Sequence, residues 1–93
     1  MTDPMDMLRV RFRARAADQA EALAQALAEE DRATVVAVSH KLAGSAALFG
    51  AAEVGVLAAA LEREAEGPAG WETIRAAAEP LLAGLRDAAQ DAD

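Results

Sequence analysis

Residues 35–50 read VVAVSHKLAGSAALFG, and this stretch predicts an amphipathic helix that carries the chain's only histidine, His40. At about 100° per residue, the larger apolar side chains fall more than about 100° away from that histidine. They are Val35, Val38, Leu42, Ala46 and Phe49. Small or short side chains share the histidine's own side: Val36, Ala37, Ala43, Gly44 and Ala47. The stretch therefore predicts a helix with one buried face and an imidazole presented from the opposite, small-residue face.

Length and composition restrict the class of protein. Ninety-three residues fit one domain, which we place at residues 1–93, and the absence of cysteine excludes disulfides and thiolate metal sites. The net charge of −7 argues against nucleic acids and anionic membranes as partners. Since the chain has no signal-peptide core and no apolar run of the roughly 20 residues that a membrane span needs, we expect a cytoplasmic protein. We also expect a monomer.

Helical periodicity extends towards the N-terminus from the histidine stretch. The first helix should run from Pro4 to near Glu29, either straight or with a bend. Asp31 is well placed to cap the second helix, because its carboxylate can accept the free amides of the first turn. Gly50 should end that second helix as a C-terminal glycine.

Two further helices follow. One is predicted over residues 51–66, and the Gly67–Gly70 breaker separates it from another over residues 71–89. Pro80 lies inside the last helix and predicts a kink or a break there. The positions expected to face inward include Leu23, Val54, Leu61, Ile74 and Leu81. Amphipathic helices with short connections predict an all-α, antiparallel up-down-up-down four-helix bundle with a long or bent N-terminal helix.

Few catalytic arrangements are possible around the histidine. The chain has no second histidine, no Gly-rich phosphate loop after a strand, and no carboxylate on the helix face of His40 that would complete a metal site. We therefore expect no metal and no cofactor of its own. A lone histidine is most often without a role. This one, however, lies opposite the apolar face and has small neighbours in place of charged ones.

Three residues that follow His40 carry weaker signals. Glycine inside a helix costs about 1 kcal/mol relative to alanine. Gly44, one turn beyond His40, therefore either leaves room for a bulky group or packs tightly against another helix. The Ser45 hydroxyl is expected to bond back to the Lys41 carbonyl. The Lys41 ammonium either reaches an anion attached to the imidazole or is simply solvated, and the residues favour neither.

The run His40-Lys41-Leu42-Ala43-Gly44-Ser45, with Leu48-Phe49-Gly50 and Leu61-Glu62 after it, closely resembles the motif pattern of the histidine-containing phosphotransfer (HPt) domain family. The family often has a lysine three residues after the histidine, near the phosphoryl group. This chain has Ala43 at that position, and its lysine is Lys41. A supporting role for Lys41 is therefore a hypothesis that alignment does not supply.

The resemblance implies a phosphorelay intermediate with no kinase or nucleotide site of its own. His40 would accept a phosphoryl group from an aspartate of a receiver domain, in a response regulator or a hybrid histidine kinase, or pass it to one. Gly44 and Ser45 would support that transfer, Lys41 joins them only as the separate hypothesis given above, and Mg²⁺ is expected in the partner receiver domain. The expected docking surface comprises Arg32, Val36, Ala37, Ala43 and Ala47. The alternatives are a receiver-docking module that is never phosphorylated and a helical self-association module.

Overall fold

Helices account for nearly all of the structure. The computed structural model describes the backbone of residues 4–46 and 51–90, and the side chains of those ranges except residues 4–6, 8 and 9. Within these ranges the chain forms four α-helices: α1 Pro4–Ala28, α2 Arg32–Ser45, α3 Ala52–Glu66 and α4 Trp71–Gln90. The same ranges contain no β-strand, which confirms the all-α prediction.

Each helix packs against two others. α2 and α4 each contact both α1 and α3, whereas the diagonal pairs α1–α3 and α2–α4 do not meet within the described ranges. Three residues join α1 to α2 and four join α3 to α4, so these neighbours must run antiparallel. The predicted four-helix bundle is confirmed, and its long N-terminal helix is the 25-residue α1.

Apolar side chains from all four helices fill the core. The large side chains that are completely buried include Leu23, Val35, Leu61, Ile74 and Leu81. Buried alanines between them allow the helices to approach closely: Ala16, Ala58, Ala65 and Ala78. The five inward positions named from the sequence are confirmed, since Val54 is buried as well. This packing fixes the orientation of α2 and hence the direction in which its opposite face points.

α2 begins at the predicted cap. The hydroxyl of Thr34 donates to Oδ2 of Asp31 at 2.6 Å, and the Thr34 N–H donates to Oδ1 at 3.2 Å. Both hydrogen bonds favour the charged carboxylate, so they hold the pKa of Asp31 below its usual range. Just before the cap, Glu30 has a φ of 54°. The N–H of Asp31 then donates to the Ala26 carbonyl, which closes the end of α1.

α2 is described from Arg32 to Ser45, and Gly50, its predicted end, lies outside the described ranges. The N–H of Ala46 donates to the Leu42 carbonyl, which closes the last turn. The N–H of Ala51 donates in turn to the Ala46 carbonyl at 2.9 Å, so this contact joins the end of α2 to the start of α3. The predictions for Ala47, Leu48, Phe49 and Gly50 concern residues outside the described ranges.

α4 runs without interruption through Pro80, so the predicted break is wrong, while the alternative of a kink stays a prediction. Proline cannot donate to the carbonyl one turn back, which here belongs to Ala76. Both residues are exposed, so water can bond the carbonyl that lacks an amide partner. The proline is tolerated because the missing hydrogen bond lies on the solvent side of the bundle.

Candidate functional site

His40 projects from the bundle surface, as the sequence predicts. Its side chain is 77% exposed, although α2 is anchored on the opposite side by buried apolar residues. Those residues are Val35, Val38, Leu42 and Ala46, four of the five that the helical wheel places away from the histidine; the fifth, Phe49, lies outside the described ranges. A reactive group on a helix that is fixed by core packing is well positioned for a partner.

Glu62 of α3 holds the imidazole in one orientation. Its Oε2 lies 2.9 Å from Nδ1 of His40, and the Glu62 side chain is only 20% exposed. A carboxylate can only accept hydrogen bonds, so Nδ1 carries the proton and donates a hydrogen bond to Glu62. The neutral ring then has its lone pair on Nε2, the nitrogen that is free to act as a nucleophile.

This contact was not predicted from the sequence. No carboxylate lies on the helix face of His40, and Glu62 comes from a different helix, 22 residues further along the chain. One signal was present, because Leu61-Glu62 belongs to the motif pattern of the HPt resemblance. The complete burial of Leu61 fixes the position of Glu62, the next residue on α3.

An open depression surrounds His40, and we call it the His40 depression. Its floor and walls come from three helices. α2 contributes His40, Lys41, Val36, Ala37 and Val38; α1 contributes Gln19 and Ala22; and α3 contributes Glu62. The structure thus brings two of the predicted docking residues, Val36 and Ala37, to the imidazole. The α1 residues were not predicted, because nothing within α2 shows which helix packs beside it.

The other predicted docking residues have different positions. Ala43 is half-buried and packs against the core, and it does not line the His40 depression. Ala47 lies outside the described ranges, so its placement stays a prediction. The apolar surround of His40 is therefore built from α1 and α2 together, on the side of the imidazole opposite the α2–α3 seam where Glu62 bonds it.

Gly44 leaves open space on the exposed side of α2. Apart from its own helix backbone and chain neighbours, a Cβ built on this residue would meet no atom of the described residues within 4 Å. The alternative that Gly44 serves close packing between helices is therefore wrong. Among the described residues no side chain fills the hollow one turn beyond His40, which is what close approach by a partner requires.

Ser45 and Lys41 behave differently from each other. The Ser45 hydroxyl donates to the Lys41 carbonyl at 2.9 Å, which confirms the expected hydrogen bond within the helix. The Lys41 side chain is exposed and lines the His40 depression on the side of α1. The ammonium can therefore approach the ring, while the Ser45 hydroxyl is already engaged with the backbone.

Arg32 must be removed from the predicted docking surface. Its guanidinium donates to the carbonyls of Ala65, Gly67 and Ala69 at 2.9, 3.2 and 2.8 Å, and it lies 5.5 Å from the centre of the Trp71 ring. It therefore closes the C-terminal end of α3 against the start of α4. Arg32 also lies two turns, about 12 Å, from His40 along α2, at the end of the bundle.

Comparison with known families agrees with the geometry. A model of the Hpt domain family matches residues 7–93, which is nearly the whole chain and confirms the resemblance seen in the motifs. The comparisons with curated proteins and with solved structures gave no match. Over the described residues, no helix combines the length and the apolar character that crossing a bilayer requires.

Proposed function

Because this chain belongs to the Hpt domain family, whose members are histidine phosphotransfer modules of two-component phosphorelays, we propose that His40 is its phosphoryl-carrying residue. His40 is the only histidine in the sequence, so it is the only side chain that can take this role. The hydrogen bond from Nδ1 to Glu62 carries the proposal, because it leaves Nε2 of an exposed ring as the nucleophile. The exchange partners would be aspartates of response-regulator receiver domains.

The transfer would proceed by attack of Nε2 on the phosphorus of an aspartyl phosphate. A bond forms between Nε2 and phosphorus, the bond between phosphorus and the aspartate oxygen breaks, and its electron pair returns to the aspartate carboxylate. The Nδ1 proton stays in its hydrogen bond with Glu62, so the positive charge that the ring acquires faces a carboxylate. The reverse sequence returns the phosphoryl group to another aspartate.

Glu62 acts here as a positioning residue. It selects the tautomer and fixes the plane of the ring, in the way a buried aspartate orients a catalytic histidine. Phosphoryl transfer passes through a loose transition state in which alignment and electrostatic stabilisation supply most of the rate. A ring held by one hydrogen bond and by a packed helix therefore needs little reorganisation before it reacts.

We propose that any Mg²⁺ needed for the transfer is supplied by the receiver domain. Mg²⁺ prefers several oxygen ligands in octahedral geometry. Across the described residues no group of three or more His, Asp or Glu side chains could hold a metal ion, and Glu62 is engaged with His40. The Lys41 ammonium is exposed beside the depression, so it can contribute positive charge near the phosphoryl oxygens.

The shape of the surface around His40 would help a receiver domain to dock. Val36 and Ala37 offer small apolar contacts beside the ring, and the open space at Gly44 allows a partner backbone to approach closely. Contact over this surface would also exclude water from the reacting atoms, which strengthens electrostatic interactions there. We propose that this part of α2, with the adjoining residues of α1, is the receiver-docking face.

The test is incubation with a panel of phosphorylated receiver domains, followed by detection of acid-labile phosphate on this chain. We expect labelling of the wild-type protein and none of His40→Gln, whose amide can still bond Glu62. Receiver binding by His40→Gln should persist. Label on the mutant would contradict the proposal. Receiver binding without any label on the wild type would favour a docking module, and a concentration-dependent dimer without labelling would favour self-association.

A further inference from the structure

The first half of α1 concentrates positive charge in an acidic protein. Residues 9–15 read RVRFRAR and hold four of the nine basic residues, although the net charge of the chain is −7. Arg11 and Arg15 lie one turn apart and are both exposed. Like charges at this spacing are mildly destabilising in a helix, so the pair needs a reason other than the stability of α1.

Neither arginine is used inside the bundle. The side chains of Arg11 and Arg15 make no hydrogen bond and no ion pair with any part of the chain that the structure describes. Asp18 follows Arg15 by three residues on the same helix, yet no ion pair joins the two. Their behaviour contrasts with that of Arg32 and Arg75, whose guanidinium groups donate to backbone carbonyls at the opposite end of the bundle.

The position of these arginines points towards the functional site. Arg15 lines a narrow cleft between α1 and α2 together with Lys41, and Gln19, one turn further along α1, lines both that cleft and the His40 depression. Residues 11, 15 and 19 are spaced by four and therefore share one flank of α1. That flank runs directly into the wall of the depression.

We propose that Arg11, Arg15 and Lys41 form a cationic edge that captures the acidic surface around the phosphorylated aspartate of a receiver domain. The inference rests on the proposed function and adds the surface that selects the receiver domain and speeds its association with this chain. A site that holds an aspartyl phosphate and Mg²⁺ must carry several carboxylates and phosphoryl oxygens. The rest of this chain is acidic and repels such a site, so the cationic edge is the surface that meets it favourably.

Electrostatic steering of this kind acts mainly on the rate of association. Complementary charge raises association rates by roughly 10- to 1,000-fold at low ionic strength, and salt removes most of the effect. The Debye length falls from about 30 Å at 0.01 M to about 3 Å at 1 M. Loss of the two arginines, Arg11 and Arg15, should therefore slow encounter at low salt and leave the transfer step itself unchanged.

The experiment compares Arg15→Glu with Arg86→Glu, which makes the same change in net charge. Arg86 is exposed on α4, a helix that does not contact α2 within the described residues, so it lies away from the docking face. The second-order rate of His40 phosphorylation by a phosphorylated receiver is measured as a function of salt. Arg15→Glu should slow it about tenfold at low salt, and Arg11→Glu/Arg15→Glu more, whereas Arg86→Glu should change it less than about twofold.

At about 1 M salt the variants should converge, and all should show the same transfer rate at saturating receiver. Equal slowing by Arg15→Glu and Arg86→Glu would overturn the inference, since net charge would then be the cause. A deficit that persists at high salt, or no deficit at all, would overturn it as well. A failure of the proposed function looks different, because the wild type itself would then take no phosphate, or His40→Gln would be labelled.

Discussion

Removing the carboxylate of Glu62 should slow phosphoryl transfer without unfolding the bundle. A hydrogen bond to a charged partner is worth about 1.5–3 kcal/mol. Glu62 is 20% exposed and His40 is 77% exposed, so water competes for both groups and the lower end applies. A loss of about 1.5 kcal/mol corresponds to a rate about tenfold lower in Glu62→Ala, because each 1.36 kcal/mol is a factor of ten.

Glu62→Gln separates the two contributions of the carboxylate. The amide oxygen still accepts the Nδ1–H and keeps the tautomer, but it no longer balances the positive charge that the ring acquires. We therefore expect a rate about threefold below the wild type, between those of the wild type and Glu62→Ala, since neutral hydrogen bonds are worth about half as much as charged ones.

The assay is rapid-quench transfer from a phosphorylated receiver domain, at saturating receiver and under single-turnover conditions. The matched control is Glu64→Ala, which removes the same charge from an exposed position on α3 two residues away. Far-UV circular dichroism and chemical denaturation should show that all three variants are folded. Transfer by Glu62→Ala at the wild-type rate, or slowed no more than in Glu64→Ala, would refute the positioning role.

Four further predictions concern stability. Arg32→Ala should lower the free energy of unfolding by about 2–3 kcal/mol, because three carbonyls and the Trp71 ring lose their cation; a loss below about 0.5 kcal/mol in urea denaturation would contradict this. Gly44→Ala should raise that free energy by about 0.5 kcal/mol, since its Cβ meets open space, and a decrease in the same assay would refute it. Ser39→Ala should raise it by about 1 kcal/mol, because the hydroxyl is buried without a partner among the described residues; thermal unfolding at an unchanged midpoint would count against this. Because the folded pKa of Asp31 is lowered, its carboxylate stabilises the fold at pH values above the unfolded pKa near 3.9, and this contribution is lost as the pH falls through the folded pKa. In Asp31→Asn the free energy of unfolding should therefore fall less steeply as the pH is lowered through this range. An unchanged slope in a pH series would exclude the effect.

The arrangement of helices could be predicted because its signals are local. Asp31 caps α2 through Thr34, only three residues away, and the Gly67–Gly70 breaker separates two periodic segments. The burial of Val35, Val38 and Leu42 follows from helical spacing alone, and so does the outward direction of His40. Each of these predictions depends on residues within one or two turns of each other.

The functional surroundings of His40 depended on contacts between helices. Arg32 lies on the same helix as the histidine, yet its guanidinium is engaged by carbonyls 33 to 37 residues away, which no pattern within α2 reveals. Pro80 was expected to kink or break α4, yet the helix continues through it, because its exposed position lets solvent bond the free carbonyl. In both cases the outcome depended on which groups the folded chain placed nearby, or left in water.

The amino-acid sequence by itself determined that this chain is a helical bundle of the Hpt family with one histidine facing outward, because helical period, caps and breakers act over a few residues. Only the tertiary structure decided that Glu62 bonds Nδ1, that Gln19 and Ala22 complete the depression, and that Arg15 lines the adjoining cleft with Lys41. Hydrogen bonds and apolar contacts require atoms within a few ångströms. Residues on different helices meet at that distance only once the core has fixed how α1, α2 and α3 pack.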